Sequence, residues 1–343
     1  MNPVRPDKIC VVVPNWNGAS SLPACLDSLL TQTTPADIIV VDNNSTDSSL
    51  KLLADHYLQV ETRRLSTNTG FAGGVNAGIR RAMKNGATYV ALFNNDAVAD
   101  NNWLTSLVEV LNKHKGAGLA TGRLLNSVGS HLDSTGESYT TWGLPFPRGR
   151  GERDVDRYDS DKWVFGASGG ASLYRSKMIK EIGSFDEDFF AYYEDVDISF
   201  RAQLAGWKVI YEPSAKAYHK IGAASGSIKG FTTYQTMKNL PWLLWKNVPL
   251  KLIPKMLPRF TLAYLAFFAN AIRRRQGWPA TKGLAYSLLL MPKKLWQRHA
   301  IQKNRKVTAS YIDSILIHDL PPNAHKLRAL RSKWHKLTLK DSR

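Results

Sequence analysis

Three short runs constrain the fold more than anything else in the chain: KICVVVP (8–14), DIIVVD (37–42) and YVALF (89–93), all apolar through their interiors. A strand with water on one face alternates apolar and polar residues, so a strand that does not alternate must be covered on both faces. Helical signals lie between the runs. A first helix is expected over 21–32, with Ser20 or Ser21 free to cap it and Pro23 in its first turn. A second passes through 51–53, and a third strand is expected near 58–65. NTGFAGGVNAGIRRAMKNG reads as a Gly-rich turn entering a helix that stops at Gly86, and NNWLTSLVEVLNKH as the helix after the fourth strand. Strands alternating with helices predict an α/β domain built on a mostly parallel sheet.

Ligands of such sheets bind at the carboxyl ends of the strands. Polar residues gather at four such ends, at 15–17, 42–45, 68–71 and 94–96. The fourth is the most pointed, because a buried strand there delivers Asn94, Asn95 and Asp96. Each cluster also has a plain explanation. Asp96 could cap the helix over 101–114, VVDNNSTD could be turn chemistry, and Gly before a helix is common.

Beyond residue 125 the pattern is irregular, and 142–162 reads as a long polar loop, the pattern of a lid, a binding loop or disorder. WVFGASGGASLYR then offers small residues where something must approach the backbone. FDEDFFAYYEDVDISFRAQLAGWKVIYEP predicts a helix over 194–205 ending at Gly206, then a strand over 207–212. Val196, Phe200 and Leu204 form its apolar stripe, and Glu194 and Asp195 stand in its first turn. Acidic residues complement the helix dipole there, which accounts for one or two carboxylates. It does not account for an acidic and aromatic cluster beside GASGGAS. A carboxylate at a helix N-terminus is expected to stay ionised near neutral pH, as a general base must. His219 stands alone in AYHK, where a surface or core histidine is the ordinary explanation.

The formal charge of +18 is unevenly spread. Residues 1–235 carry 24 Lys and Arg against 25 Asp and Glu, whereas 236–343 carry 22 against 3. A near-neutral domain over 1–235 is therefore followed by a basic α-helical region over 236–343, suited to an anionic surface. Its Trp and Leu interleave with Lys and Arg in WLLWKNVPLKLIPKMLPRF, PKKLWQRHAIQKNRK and KLRALRSKWHKL, the composition of interfacial helices on anionic lipid. A solvated tail and nucleic-acid binding share that composition; membrane is the expectation, not nucleic acid. FTLAYLAFFANAI is 13 residues long, short of the ~20 that span a bilayer. The apolar run near the N-terminus stops at Pro14, so no signal peptide is expected. Cys10 and Cys25 fall on apolar faces without metal-ligand spacing, which suits a reducing compartment.

Taken in order, VVVPNWNG, VVDNNSTDSS, NTGFAGGVNAGI, LFNND, GASGGASLYR, GSFDEDFFAYYEDVDISFRAQLAGW and AYHK resemble family-two inverting glycosyltransferases of the GT-A fold. The branch they are most similar to is the rhamnosyl- and galactofuranosyl-transferase-like enzymes of bacterial surface-polysaccharide assembly, over roughly residues 8–225. The resemblance implies a nucleotide-sugar donor held by Pro14, Trp16, Asn17, Asp42, Asn44, Asn68, Gly70, Phe71, Asn76, Asn94, Asn95 and Asp96, with Asp42 reading the pyrimidine. It implies Asp195 as the base that takes the acceptor's proton, and Glu194, Gly169 and Gly170 on the acceptor side. The family's Asp-x-Asp motif, which holds Mg²⁺ or Mn²⁺ against the donor diphosphate, appears here as Asn94-Asn95-Asp96. Amide oxygens are weaker ligands for a hard cation, so Asp96 is the metal ligand of the motif, and the resemblance implies His219 as a second, because it matches a metal-binding His of some members.

The expected function is transfer of a sugar to a lipid-linked or polysaccharide acceptor in cell-envelope synthesis. The donor first expected is deoxythymidine-diphosphate-rhamnose (dTDP-rhamnose), and the place the cytoplasmic face of the inner membrane, peripherally bound. Two alternatives stay open at this point: a sugar-nucleotide nucleotidyltransferase and a non-catalytic glycan-binding scaffold.

Overall fold

The computed structural model describes residues 7–153, 156–220, 228–322 and 324. The segment KLRALRSKWHKL therefore lies outside the described residues. The alternation expected of the first hundred residues is present as β1 (Ile9–Asn15), α1 (Leu22–Leu30), β2 (Asp37–Asp42), α2 (Ser49–His56), β3 (Glu61–Arg64), α3 (Gly70–Lys84) and β4 (Tyr89–Phe93). Ser21 occupies the N-cap of α1, but its hydroxyl donates to the Gly18 carbonyl and caps nothing. The Gly-rich run is itself the first turns of α3. A Cβ at Gly78 would run into Val12, so these glycines let the helix lie close on β1.

Then come β5 (Ala97–Ala99), α4 (Trp103–Lys113), β6 (Ala117–Asn126), β7 (Leu132–Ser134), β8 (Glu137–Tyr139), β9 (Pro145–Pro147), β10 (Trp163–Val164), β11 (Ala171–Arg175), α5 (Ser176–Ile182), α6 (Glu194–Leu204) and β12 (Lys208–His219). The N-cap of α4 is Asn102, so Asp96 does not cap that helix. Part of the stretch expected to be an irregular loop is the β8–β9 hairpin and its turn, where Tyr139, Trp142 and Leu144 are buried.

One sheet runs in the order β10-β12-β6-β11-β4-β1-β2-β3, with β5 paired to β12 and β7 to β6. Neighbours among β4, β1, β2 and β3 are parallel, β11 is antiparallel to both neighbours, and β6 and β12 are parallel again. The chain leaves β1 for β2 on one side and returns to β4 on the other, so the turns after β1 and β4 diverge and open a crevice. Apolar side chains of β1, β2 and β4 pack on both faces, which is why those runs do not alternate. Both cysteines are buried among them as free thiols.

The C-terminal helices α7 (Phe231–Asn247), α8 (Ile253–Arg273), α9 (Gly277–Lys303) and α10 (Ala309–Ile315) share a core with α6 and the β8–β9 hairpin. Tyr139, Phe165, Phe189, Val196 and Phe200 pack there with Trp242, Leu243, Met256, Phe260 and Ile312. A boundary at residue 235 falls inside α7. The 13-residue apolar run lies within a helical stretch, Leu250–Arg273, that is long and apolar enough to cross a membrane, so length does not exclude a span as the run alone suggested.

Candidate active site

At the tip of β1, Asn15 donates through Nδ2 to Asp42 Oδ1 and Ser45 Oγ, both at 3.3 Å. Asp42 Oδ2 accepts from the Ser45 amide at 3.1 Å, and its side chain has no exposed surface. Asp42 is thus the floor beneath this turn. The groups facing outward are Trp16, Asn17 and Asn44, the two asparagines in left-handed backbone conformations, φ 52° and 64°. Asn68 accepts the Gly70 amide at 2.8 Å and holds the start of α3.

Gly70 needs its φ of 72° and has no room for a Cβ, which would strike the Phe190 carbonyl. Phe71 follows and reaches the Gly169 position. Asn76 corrects an expectation. It is buried, its Nδ2 donates to Phe185 O and Glu187 Oε1, and its Oδ1 accepts from the Phe185 amide, so it ties α3 to residues 185–187 and does not line the crevice.

The β4 tip brings the metal candidates together. The short β5 pairs antiparallel with the end of β12, placing Ala97 opposite His219. His219 Nε2 then lies 3.1 Å from Asp96 Oδ1 and 3.2 Å from Asn94 Nδ2. His219 Nδ1 lies 2.8 Å from Asp133 Oδ2, and Arg150 pairs with Asp133 Oδ1 at 2.8 Å. Burial would lower the His219 pKa, but the two carboxylates outweigh it and push it up to about 9. Asp133 is held below its ordinary value by His219 and Arg150 against the cost of its burial.

A carboxylate and an imidazole nitrogen on one point, with an amide beside them, suit a divalent cation. A carboxylate behind the histidine's other nitrogen is the arrangement that orients metal-binding imidazoles. The set is small, however. Among the described residues no group of three or more His, Cys, Asp and Glu is arranged to hold a metal. Asn95 Nδ2 donates to Asn15 Oδ1 at 2.7 Å and closes the crevice between the β1 and β4 tips.

Asp195 faces this edge from α6. Its Oδ2 accepts the Gly169 amide at 2.9 Å and its Oδ1 the Val196 amide at 2.8 Å. Gly170 in turn accepts the Asn94 amide at 2.8 Å, so the Gly169–Gly170 platform joins the base candidate to the metal edge. Burial raises the Asp195 pKa while the two amide bonds pull it back. Glu194 is pushed up to about 8 by burial and by the charge of Asp195, and its Oε2 has no hydrogen-bond partner. Burial thus raises both adjacent carboxyls, while the amide bonds to Asp195 favour its charged form.

Glu137 from the hairpin is buried beside them and raised well above its usual value by burial and by Asp195. Asp133, Glu137 and Arg150 carried no signal in the sequence. They come from strands of three residues and a turn, too short for any periodicity.

The glycosyl transferase family 2 profile matches residues 10–183. The chain belongs to that family. Of the three readings open in the sequence, this one selects a glycosyltransferase. A similar protein is the N-acetylglucosaminyl-diphospho-decaprenol L-rhamnosyltransferase of Mycobacterium tuberculosis, 27% identical over 240 residues, covering 64% of this chain and 78% of that one. An uncharacterized glycosyltransferase of the same species is 29% identical over 234 residues, covering 65% and 93%. In structure the chain is similar to Staphylococcus aureus TarS 1–349, with a TM-score of 0.53 at 17% identity, covering 90% of this chain and 92% of that one. It is also similar to GalNAc-T7 with UDP, GalNAc and Mn²⁺, with a TM-score of 0.51 at 16% identity, covering 77% and 57%. At these identities the likeness is one of fold, and the fold is GT-A.

Proposed function

We propose that this glycosyltransferase moves a sugar, with inversion, from a nucleotide-diphosphate-sugar to a lipid-linked or polysaccharide acceptor of the cell envelope. The observation that carries this is Asp195, held by the Gly169 amide on the platform whose other end binds the Asp96 and His219 edge. The nucleotide lies over the tips of β1, β2 and β3, against Pro14, Trp16, Asn17, Asn44 and Asn68, with Asp42 beneath. Phe71 and the Gly169–Gly170 platform flank the sugar. Asp195 accepts the proton of the attacking hydroxyl, which bonds to the anomeric carbon as the bond to the leaving diphosphate breaks. Glu194 and Glu137, both buried and with pKa values raised by burial and by the charge of Asp195, border the acceptor side. Asp96 and His219 would hold a divalent cation, Mn²⁺ or Mg²⁺, whose charge offsets that of the diphosphate leaving group. The named relative supports rhamnose as the sugar and a diphospholipid acceptor.

A peripheral place on the cytoplasmic face of the inner membrane is supported by the outer face of α8 and α9. Leu265, Trp278, Leu288, Leu289 and Trp296 are exposed there beside Arg273, Arg274, Arg275 and Lys282. Trp242, which the composition suggested would insert into lipid, is wholly buried, and Trp245 is half-buried.

The test is nucleoside diphosphate release from a panel of nucleotide-sugars, dTDP-rhamnose and UDP-GlcNAc among them, with Mn²⁺, Mg²⁺ or EDTA. Metal-dependent release from one donor supports the proposal, and release from none contradicts it. Co-sedimentation with anionic vesicles should weaken but persist as salt rises and the Debye length falls from ~10 Å at 0.1 M to ~3 Å at 1 M. Tight RNA binding without preference for anionic lipid would overturn the membrane part.

A further inference from the structure

Immediately before the base, the backbone does something costly. Phe190 (φ 64°), Tyr192 (φ 69°) and Tyr193 (φ 72°) all lie in the left-handed region, and Phe190 combines its φ with a ψ of −62°. Large side chains rarely adopt such conformations, which persist only where the surroundings dictate them. Tyr193 is the N-cap of α6, two residues ahead of Asp195, so this turn sets where the base points.

What dictates the turn is α7. Asn239 is fully buried, and its Nδ2 lies 3.0, 3.0 and 2.8 Å from the carbonyl oxygens of Phe189, Ala191 and Tyr192. Lys238 Nζ donates to the Asp188 and Phe189 carbonyls at 2.9 and 3.2 Å. From the same helix Thr232 bonds the Tyr192 hydroxyl at 3.2 Å. Helix α9 braces the segment from behind, its buried Lys294 pairing with Asp186 and Asp188 at 2.7 Å each. On the donor side, the Phe190 carbonyl accepts the Ala72 amide at 3.1 Å and lies against Gly70. The turn is therefore the joint between the donor loop, the base and the C-terminal helices.

We propose that Asn239, assisted by Lys238, is a positioning residue that holds the 189–193 turn so that Asp195 meets the Gly169 amide and faces the crevice. A side-chain amide brings two N–H donors on one neutral atom, which is what a cluster of carbonyls requires. Asn239 Oδ1 has no hydrogen-bond partner although it is buried, so the residue is placed for what its nitrogen does. The consequence is that the helices expected to serve only as a basic membrane module also carry part of the catalytic geometry.

The proposal rests on Asp195 being the base, and the test keeps the two apart. Full-chain Asn239→Ala and Lys238→Met are compared with wild type and with Asp195→Asn in three readouts. These are nucleoside diphosphate release from UDP-GlcNAc and dTDP-rhamnose with Mn²⁺, UDP binding, and amide hydrogen exchange over 190–196. Asn239→Ala should release the turn, speed exchange there and lower turnover about 10²-fold, the scale of a misplaced catalytic group, while changing UDP binding far less. Its acidic pH limb should move to higher pH, because Asp195 loses hydrogen bonds to its charged form. Lys238→Met should act in the same direction and less strongly, and it decides by the same readouts if Asn239→Ala does not fold. A lowered melting temperature with turnover, pH limb and exchange all unchanged would overturn the proposal and leave a merely structural residue. Full turnover by Asp195→Asn would instead remove the base, while exchange over 190–196 would still report on the clamp.

Discussion

The donor edge and the C-terminal helical layer hold their polar groups in opposite ways. At the donor edge Asn15, Asp42, Ser45 and Asn95 bond to one another across strand tips, and each lies within or just beyond a strand visible in the sequence. In the helical layer Lys238, Lys246 and Lys294 are buried, each held by groups 49 to 108 residues away in sequence. Lys246 meets Asp186 at 2.7 Å and Asp197 at 2.9 Å, and Asp197 is held in addition by Arg201 and Asn247. A lysine count therefore describes the two regions differently. Part of the +19 that marks 236–343 as a surface-seeking module is spent inside the protein, against carboxylates of the segment that carries Asp195.

If this contrast is right, removing the helical layer should cost more than removing its charge. A chain ending at residue 235 cuts α7 and strips the cover from Phe189, Val196 and Phe200. It should lose cooperative unfolding altogether, as read by circular dichroism and thermal melting. A truncated chain that melts like the full one and binds UDP would restore the picture of two independent modules.

A smaller loss should follow from a single buried lysine. Lys246→Met leaves Asp186 and Asp197 without one partner, for which ~3–5 kcal/mol is the usual cost. The remaining partners, Lys294, Arg201 and Asn247, place the expectation near the lower end, measured by urea unfolding. The pair itself adds little net stability. The two carboxylates are lowered by their lysines, but burial lowers the Lys246 pKa too, so desolvation offsets much of the attraction.

The sign of the pH effect follows from the carboxylates. Asp186 and Asp197 have folded pKa values below the unfolded value of 3.8. Their contribution is complete above that value and is lost as pH falls below it. Wild type should therefore lose melting temperature below about pH 4 more steeply than Lys246→Met. Equal slopes would mean the network does not sense the protons.

The donor edge should answer to metal and hardly to stability. Asp96→Ala should weaken nucleotide-sugar binding and Mn²⁺ dependence together while the melting temperature barely moves. Titration calorimetry with UDP, with and without Mn²⁺, checks it. Unchanged Mn²⁺ dependence would take Asp96 and His219 out of the metal site.

The same contrast governs what the sequence discloses. Runs such as ICVVV and IIVV declare a buried strand, and the polar residues that follow are at its tip by necessity, so the α/β sheet and its strand tips were legible, while GT-A came from the resemblance of the ordered motifs. The partners of those tips were not. β5 and β7 are three residues each, too short to show a period, yet they bring Asp96 and Asp133 to His219. Asn76 sits in the glycine-rich run and looks like a ligand, but packing turned it toward residues 185–187. Trp242 and the buried lysines of α7 and α9 have a surface composition and an interior place, because their partners are carboxylates and carbonyls that no local pattern reveals.

The central claim is that one carboxylate, Asp195, removes the acceptor proton. The direct measurement is turnover and UDP binding by Asp195→Asn in the full chain, which keeps the side chain's shape and deletes its basicity. Asp195→Asn should bind UDP as wild type does and release nucleoside diphosphate about 10²–10⁴ times more slowly. Turnover at the wild-type rate would contradict the account.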